Sequence, residues 1–214
     1  NRHIPAILMN ARMGETSFKR WGRFGHGFLS RLLKTFDMCL TQSAAEKIRL
    51  DHFDHTDVRV TDNLKYAAVK LPVRQSAKDE LQGHIRNRPV WQFASTHPGE
   101  EDLACNVHKR LAEKIPNVLS VIIPRHPARG LDIYNNVQAA GFIPALRSRG
   151  DAVTSETDIY IADTMGEMGI FFDAVDITVI GGSFVAHGGH NPIEPAQFGN
   201  LVIYGQHMFN FKLI

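Results

Sequence analysis

The chain has 214 residues, of which 43% are hydrophobic and 21% are charged, and this balance is typical of a folded protein with one or two domains. No apolar run approaches the roughly 20 residues that cross a bilayer, so a membrane-spanning protein is excluded. Two cysteines alone cannot form a disulfide framework, so a disulfide-rich protein is excluded as well, and a reducing, cytoplasmic setting is predicted. Residues 1–50 hold nine Lys or Arg and three acidic residues, against 15 and 19 in the rest of the chain, which indicates two domains facing different partners.

The first part of the chain alternates short apolar runs with helical patterns. Strands are predicted at 5–9, 38–41 and 58–61, and helices at 17–36 and 44–50. In the first of these helices the apolar residues fall on one side and the Lys and Arg residues on the other, so the helix is basic and amphipathic. Gly22, Gly25 and Gly27 each destabilise it by about 1 kcal/mol relative to Ala, so it needs a partner surface.

The second part of the chain begins after a stretch without periodicity. Residues 62–88 are predicted to be a linker with one short helix, and a domain boundary is placed near Tyr66. Beyond the linker, strands are predicted at 90–94, 118–123, 159–162, 178–180 and 201–204, and helices at 100–115, 131–140 and 166–174, with a further short helix before the last strand. This alternation predicts an α/β fold with a parallel sheet, whose ligands bind in the loops at the carboxyl ends of the strands.

Two of those loops carry groups that suit an anion. Thr96 or His97 is predicted to cap the helix after the first strand of this part, and a helix start there would expose backbone N–H groups to an anion. The alternative is a plain helix cap without a ligand. After the next strand, Arg125, His126 and Arg129 stand among prolines, and arginine binds phosphate or carboxylate through paired hydrogen bonds. Surface arginines are also commonly just solvated.

The glycine-rich stretch GGSFVAHGGHNPIEPA follows the strand predicted at 178–180. Gly181 and Gly182 would let a ligand approach the backbone closely. Asn191 is predicted to cap the next helix, with Pro192 as its first residue. Glu194 then has two interpretations. Its carboxylate accepts hydrogen bonds from the vicinal hydroxyls of a ribose, or it only reaches back to the Asn191 N–H as in a capping box.

Several ordered motifs in the chain resemble those of one family, the 3-deoxy-D-manno-octulosonic acid (Kdo) transferases of lipopolysaccharide synthesis. The motifs are GGSFVAHGGHNPIEPAQFGN, ASTHPGEE, PRHPAR, DTMGEMG, GQHMFNF, NARMGETSF and VTDNLK. The sequence departs from the family pattern at four positions: the family has Ser and Arg where Gly14 and Thr16 stand, Gly at Asp62 and Pro at Gln206. The loop around residue 14 is therefore the weakest part of the resemblance.

The resemblance implies a GT-B glycosyltransferase with two Rossmann-like domains, which moves Kdo from CMP-Kdo to a lipid A precursor with inversion, on the cytoplasmic face of the bacterial inner membrane. Residues 1–66 would be the C-terminal portion of the acceptor domain and residues 67–214 the donor domain, truncated at its end. The family's membrane anchor and glutamate base would lie upstream of residue 1, so the chain is expected to be an inactive fragment. No cofactor, metal or nucleic-acid partner is expected.

Site residues follow from the loops and the resemblance together. The predicted donor-binding residues, which would surround the phosphate, the ribose, the sugar carboxylate and the cytosine, are Ser95, Thr96, His97, Arg125, His126, Arg129, Met165, Gly166, Glu167, Gly181, Gly182, Ser183, Asn191 and Glu194. On the acceptor or membrane side, the predicted cations are Arg12, Lys19, Arg20 and Arg23. They would meet acceptor phosphates or anionic headgroups, or they are the ordinary solvated face of a helix.

Two groups of residues contain histidines that could bind a metal, and two other functions are compatible with the sequence. The run DHFDH at 51–55 contains residue types that bind metals, but it is interpreted as a solvated loop. His187 and His190 are interpreted as ligand contacts or turn residues rather than as a metal pair. Another GT-B transferase or an epimerase that uses UDP-sugars is an alternative function. A non-catalytic nucleotide-binding module is another.

Overall fold

The structure, a computed structural model, describes residues 4–54, 57–61, 69–85, 88–211 and 214. The chain divides into two compact units, Asn1–Val69 and Lys70–Ile214. Tyr66, where the sequence places the boundary, lies outside the described residues. Each unit has its own sheet and its own apolar core.

The first unit is a three-stranded parallel sheet with helices. Its elements are β1 (Ile7–Ala11), α1 (Glu15–Phe24), α2 (His26–Leu33), β2 (Met38–Thr41), α3 (Ala44–Asp51) and β3 (Val58–Val60). The strands lie in the order β1-β2-β3. Leu33, Cys39, Leu50 and Phe53 are buried in its core, because α2 and α3 each present their apolar residues to the sheet.

The prediction of one continuous helix at 17–36 is wrong in one respect. The structure has two helices, α1 and α2, which meet at Gly25. A methyl group at Gly25 would overlap the ring of Trp21. The Trp21 ring in turn stacks on Phe28 with ring centroids 6.0 Å apart. The glycine that weakens the helix is thus the residue at which the chain changes direction.

The second unit is a six-stranded parallel sheet in the order β6-β7-β5-β4-β8-β9. Its elements are α4 (Gln75–Ile85), β4 (Val90–Thr96), α5 (Glu100–Ala112), β5 (Leu119–Pro124), α6 (Gly130–Ala139), β6 (Pro144–Leu146), β7 (Ile159–Ile161), α7 (Met168–Ala174), β8 (Ile177–Ile180), α8 (Ile193–Ala196) and β9 (Leu201–Ile203). Short 3₁₀ turns lie at Pro127–Arg129, Arg147–Arg149 and Phe209–Phe211.

Helices cover both faces of this sheet. Leu81 of α4 and Phe171 of α7 pack with Val121 of β5 on one face, and Ala104 of α5 and Ile133 of α6 lie in the core on the other. The α/β fold with parallel sheets that the alternation predicts is confirmed. The sequence analysis missed β6, and α4 occupies much of what was predicted to be a linker. Within the described ranges, none of the helices combines the length and the apolar character that a membrane span requires.

Candidate functional site

A cavity of about 140 Å³ lies at the carboxyl edge of the second unit's sheet. Its walls come from the end of β4, the loop after β5 and the loop between β7 and α7. Ser95, Arg125, Met165, Gly166 and Glu167, which the sequence singles out in three separate loops, all line it. They converge because β7, β5 and β4 are adjacent and parallel, so their carboxyl ends meet at one edge.

Ser95 is the strained residue of this edge. Its backbone is left-handed, with φ of 61°, and the pairing of β4 with β5 shifts register between Ala94 and Thr96. Such a conformation costs a non-glycine residue about 1 kcal/mol or more, and it persists where the surroundings impose it. Bulges of this kind re-aim side chains next to active sites, and here the bulged residue lines the cavity.

The two predicted arginines of the loop after β5 have different surroundings. Arg129 is paired with the Glu101 carboxylate at 2.7 Å and 3.0 Å, and Glu101 also accepts a 2.7 Å hydrogen bond from the buried Thr96 hydroxyl. Arg125 is exposed, and no carboxylate pairs with its guanidinium within the part of the chain that the structure describes. The structure therefore leaves Arg125, and not Arg129 or Thr96, available to an anion at this edge.

The start of α5 differs from the prediction, because the helix is preceded by Gly99 with φ of 93° and not capped by Thr96 or His97. The Glu100 carboxylate, 1% exposed, accepts hydrogen bonds from three backbone N–H groups, those of His97 (2.9 Å), Gly182 (2.8 Å) and Phe184 (3.1 Å). These three N–H groups, one before α5 and two in the glycine-rich stretch, thus bind an internal carboxylate. Glu100 is a residue of the site that sequence reasoning missed, since an acidic residue in a first helical turn is ordinary.

The glycine-rich stretch is explained largely by packing within the chain. A methyl group at Gly181 would overlap the Ser95 carbonyl oxygen, and Gly182 has a left-handed backbone with φ of 65°. Ser183 is fully buried. Its hydroxyl donates to the Ile180 carbonyl (2.5 Å) and accepts from the Gly205 N–H (2.8 Å). Ser183 therefore joins β8 to the chain after β9, and the structure differs here from the predicted ligand contact.

Asn191 and Glu194 are in contact, as the capping interpretation requires. The contact joins their two side chains, however, and not the Glu194 carboxylate and the Asn191 backbone N–H. The helix α8 starts at Ile193, one residue later than predicted. The Asn191 side-chain oxygen accepts from the Ile193 N–H (3.1 Å), while its amide donates to Glu194 Oε1 (2.9 Å). Only one of the two Glu194 oxygens is used in this contact. The other interpretation, contact with a ribose, stays open.

Glu167 is held by cations at the far wall of the cavity. Arg147 donates to both of its oxygens (2.6 Å and 2.9 Å), Arg74 approaches at 3.3 Å, and Thr164 donates as well. The Arg147 contact lowers the pKa of Glu167, so this carboxylate is ionised. Glu167 thus connects Thr164, next to the Met165–Gly166 turn, with Arg147 and Arg74. Met165 itself is 77% exposed.

Histidines from three loops lie close together beside this edge. His97 Nε2 lies 2.7 Å from His190 Nε2, and the His97 ring stacks on His187 with centroids 3.9 Å apart. His126 is edge-on to His97 at 6.3 Å. Burial is the main cause that lowers the pKa of His97 and brings that of His190 to about 4. Among the described residues, only His97, His187 and His190 form a group with metal-ligand spacing. From the sequence, His187 and His190 were interpreted as ligand contacts or turn residues rather than as a metal pair.

The predicted acceptor-side cations lie on the surface of the first unit. Lys19 pairs with Glu15 at 2.7 Å, Arg12 lies 3.9 Å from Glu46, and Arg23 lies over the ring of Phe24. Arg20 is exposed. No residue of α1 is buried, and Phe24 is 83% exposed. The structure thus places these cations on one short helix and its approach, next to an exposed aromatic ring.

Comparison with known sequences identifies relatives along the whole chain. The family model described as 3-deoxy-D-manno-octulosonic-acid transferase (kdotransferase) matches residues 1–68. The curated 3-deoxy-D-manno-octulosonic acid transferases of Rickettsia felis and Haemophilus influenzae are 37% and 31% identical over 97% and 100% of this chain, but these stretches are 44% and 50% of their own length. The chain therefore spans about half the length of the curated relatives it matches. The resemblance predicted from the motifs is confirmed.

A solved structure of a relative also resembles part of the chain. The crystal structure of the C-terminal CMP-Kdo binding domain of WaaA from Acinetobacter baumannii matches with a TM-score of 0.60 and 28% sequence identity. The match covers 64% of this chain and 73% of that one. A domain of the same fold thus exists in a solved relative.

Proposed function

We infer that this chain belongs to the family of Kdo transferases and propose that its second unit binds CMP-Kdo as the sugar donor. The observation that carries this proposal is the convergence of Ser95, Arg125 and the Met165–Gly166 turn on one cavity at the carboxyl edge of the sheet. The similarity of the chain to a solved CMP-Kdo binding domain supports the same assignment. A nucleotide with a phosphodiester and a sugar carboxylate suits an edge where Arg125 lacks a carboxylate partner among the described groups.

The reaction that we propose is inverting transfer within a GT-B enzyme of lipopolysaccharide synthesis. An acceptor hydroxyl of the lipid A precursor forms a bond to the anomeric carbon of Kdo, the bond from that carbon to the phosphate oxygen breaks, and CMP leaves. Arg125 stabilises the negative charge that develops on the leaving phosphate. The proton of the acceptor hydroxyl passes to the family's glutamate base, which is not one of the residues proposed for the donor site, and we propose that the donor site alone binds CMP-Kdo without turnover.

For the first unit we propose the acceptor side of the enzyme, at the cytoplasmic face of the inner membrane. The exposed cations Arg20 and Arg23 and the exposed ring of Phe24 support contact with an anionic lipid surface, because aromatic and cationic side chains together favour the headgroup region. In the alternative, α1 is an ordinary solvated helix. Binding to vesicles with and without anionic lipid, compared with an Arg20→Ala/Arg23→Ala variant, separates the two.

The donor assignment is tested by nucleotide preference. Calorimetric titration of the chain with CMP and with UMP is expected to show tighter binding of CMP. Equal affinities, or a preference for UMP, would favour the transferases and epimerases that use UDP-sugars. Binding of neither nucleotide would contradict the donor site altogether.

Arg125→Ala is expected to weaken CMP binding by about 10- to 100-fold and to leave cytidine binding nearly unchanged, because the lost contact is a charge-assisted hydrogen bond to phosphate. The measurement is titration of both ligands into both proteins. Arg110→Ala removes an exposed arginine at the end of α5 and serves as the matched control. An equal loss for CMP and cytidine would refute the assignment of Arg125 to the phosphate.

Glu194→Ala is expected to lower CMP affinity by about 1 to 3 kcal/mol, the amount typical of a polar ligand group that loses its hydrogen-bond partner. Because the proposed contact is to the ribose, cytidine should lose the same factor and 2′,3′-dideoxycytidine should lose little. Unchanged CMP binding by a folded variant would leave Glu194 with only its contact to Asn191.

A further inference from the structure

Three histidines from two loops form a compact group that is defined here as the histidine cluster: His97, His187 and His190. His97 follows β4, and the other two lie in the glycine-rich loop after β8. With the Nε2 atoms of His97 and His190 2.7 Å apart, one ring must donate a proton and the other accept it. The His187 ring stacks on that of His97 at an interplanar angle of 30°, and its centroid lies 5.4 Å from that of His190.

The charges that face the histidine cluster are mostly positive. The groups that act on His97 and His190 from the adjoining loops are His126, Arg125, Arg129 and Glu100. Arg129 is neutralised by Glu101, and the Glu100 carboxylate already accepts three backbone N–H groups. What remains is a group of imidazoles beside an exposed guanidinium. Because the guanidinium is positive and the imidazoles can donate hydrogen bonds, these groups favour a negatively charged ligand.

A metal ion is the obvious rival occupant. Three imidazole nitrogens within 4.8 Å of one another have the spacing of ligands to a zinc ion. Arg125 and His126 stand beside them, however, and the Glu100 carboxylate that acts on His97 already accepts hydrogen bonds from three backbone N–H groups. Bringing a divalent cation next to a guanidinium costs Coulomb energy, whereas bringing an anion there gains it. Electrostatics therefore favours an anion.

We propose that the histidine cluster and Arg125 form an oxyanion subsite that takes up a proton when its ligand binds. This inference rests on the proposed function, because the ligand would be the phosphate or the sugar carboxylate of CMP-Kdo. An anion close to an imidazole stabilises its protonated form. Protonation also turns a ring nitrogen that only accepted a hydrogen bond into a donor toward the oxyanion. Without a ligand, His97 and His190 stay uncharged, because burial and the neighbouring positive charges lower their pKa, and the cluster gains a proton only around the anion. Donor affinity would then rise as the pH falls.

The experiment uses sulfate as its first probe, because sulfate keeps its own charge across the range in which histidine titrates. Its dissociation constant is measured by calorimetry between about pH 5.5 and pH 8, in buffers with different ionisation heats, so that proton uptake is measured directly. We expect affinity to fall as pH rises, by up to about tenfold per pH unit for each coupled proton. His190→Gln should abolish the uptake, while His84→Gln, on α4, should retain it.

Two further ligands identify the source of the oxyanion. Competition between sulfate and CMP assigns the subsite to the phosphate. Competition between sulfate and free Kdo, with CMP binding undisturbed, assigns it to the sugar carboxylate.

The proposal is overturned if sulfate binding does not depend on pH, or if proton uptake persists in His190→Gln. Tight binding of Zn²⁺ that is lost in His190→Gln, without any sulfate binding, would assign the cluster to a metal instead. CMP binding without proton-linked sulfate binding would overturn this inference and leave the donor site standing. Proton-linked sulfate binding without any CMP binding would support the oxyanion subsite and contradict the donor.

Discussion

A chain that carries Glu100→Gln is expected to lose about 3 kcal/mol of its free energy of unfolding, because three backbone N–H groups point at the two oxygens of this buried carboxylate. Glutamine keeps one acceptor oxygen, but its amide group donates and therefore faces other donors. At least one buried N–H, on His97, Gly182 or Phe184, then has no acceptor. Hydrogen bonds to a charged group contribute more than neutral ones, and their loss adds to the cost.

The measurement for Glu100 is urea unfolding followed by the fluorescence of Trp91, which is buried in β4. Trp21 of the first unit is replaced by Phe in all proteins compared, so that only the second unit is observed. Glu113→Gln, exposed at the end of α5, is the matched control and should change stability by less than about 0.5 kcal/mol. A similarly small change for Glu100→Gln would show that the carboxylate does not hold the two loops together.

Gly181→Ala is expected to destabilise the second unit by about 3 kcal/mol or to prevent its folding. The added methyl group would overlap the carbonyl oxygen and carbon of Ser95 in the neighbouring strand. Since both partners are backbone, the sheet edge has to move, and overpacking of a tight contact costs about 1 to 3 kcal/mol or more. Ser95, already held at a positive φ, has little freedom to give way.

Gly83→Ala is the matched comparison for Gly181, since it makes the same chemical change at an open position. Gly83 lies in α4 with no atom within 4 Å of the added carbon. Alanine there should stabilise the helix by about 0.5 to 1 kcal/mol. Thermal unfolding of the two variants should therefore shift in opposite directions. A stable Gly181→Ala protein would contradict the strand contact as the reason for glycine at this position.

The order of elements in the second unit was largely predictable. The runs around Val121 and Ile161 are apolar because both faces of their strands are covered. Two features escaped prediction. The strand β6, with three residues and a proline at its start, is too short to show a pattern. α1 and α2 share one continuous periodicity, so only their packing reveals the break at Gly25.

The amino-acid sequence by itself determined that the loops of the candidate site lie at the carboxyl edge of the sheet. Parallel strands bring Ser95, Arg125 and Glu167 to one edge whatever their side chains do. Only the tertiary structure decided which of the polar groups in those loops are available. Gly182 finds its acceptor in Glu100, 82 residues away, and Arg129 finds Glu101, whereas Arg125 finds no carboxylate among the described residues. Such pairings depend on distances across the fold, and no local pattern of residues encodes them.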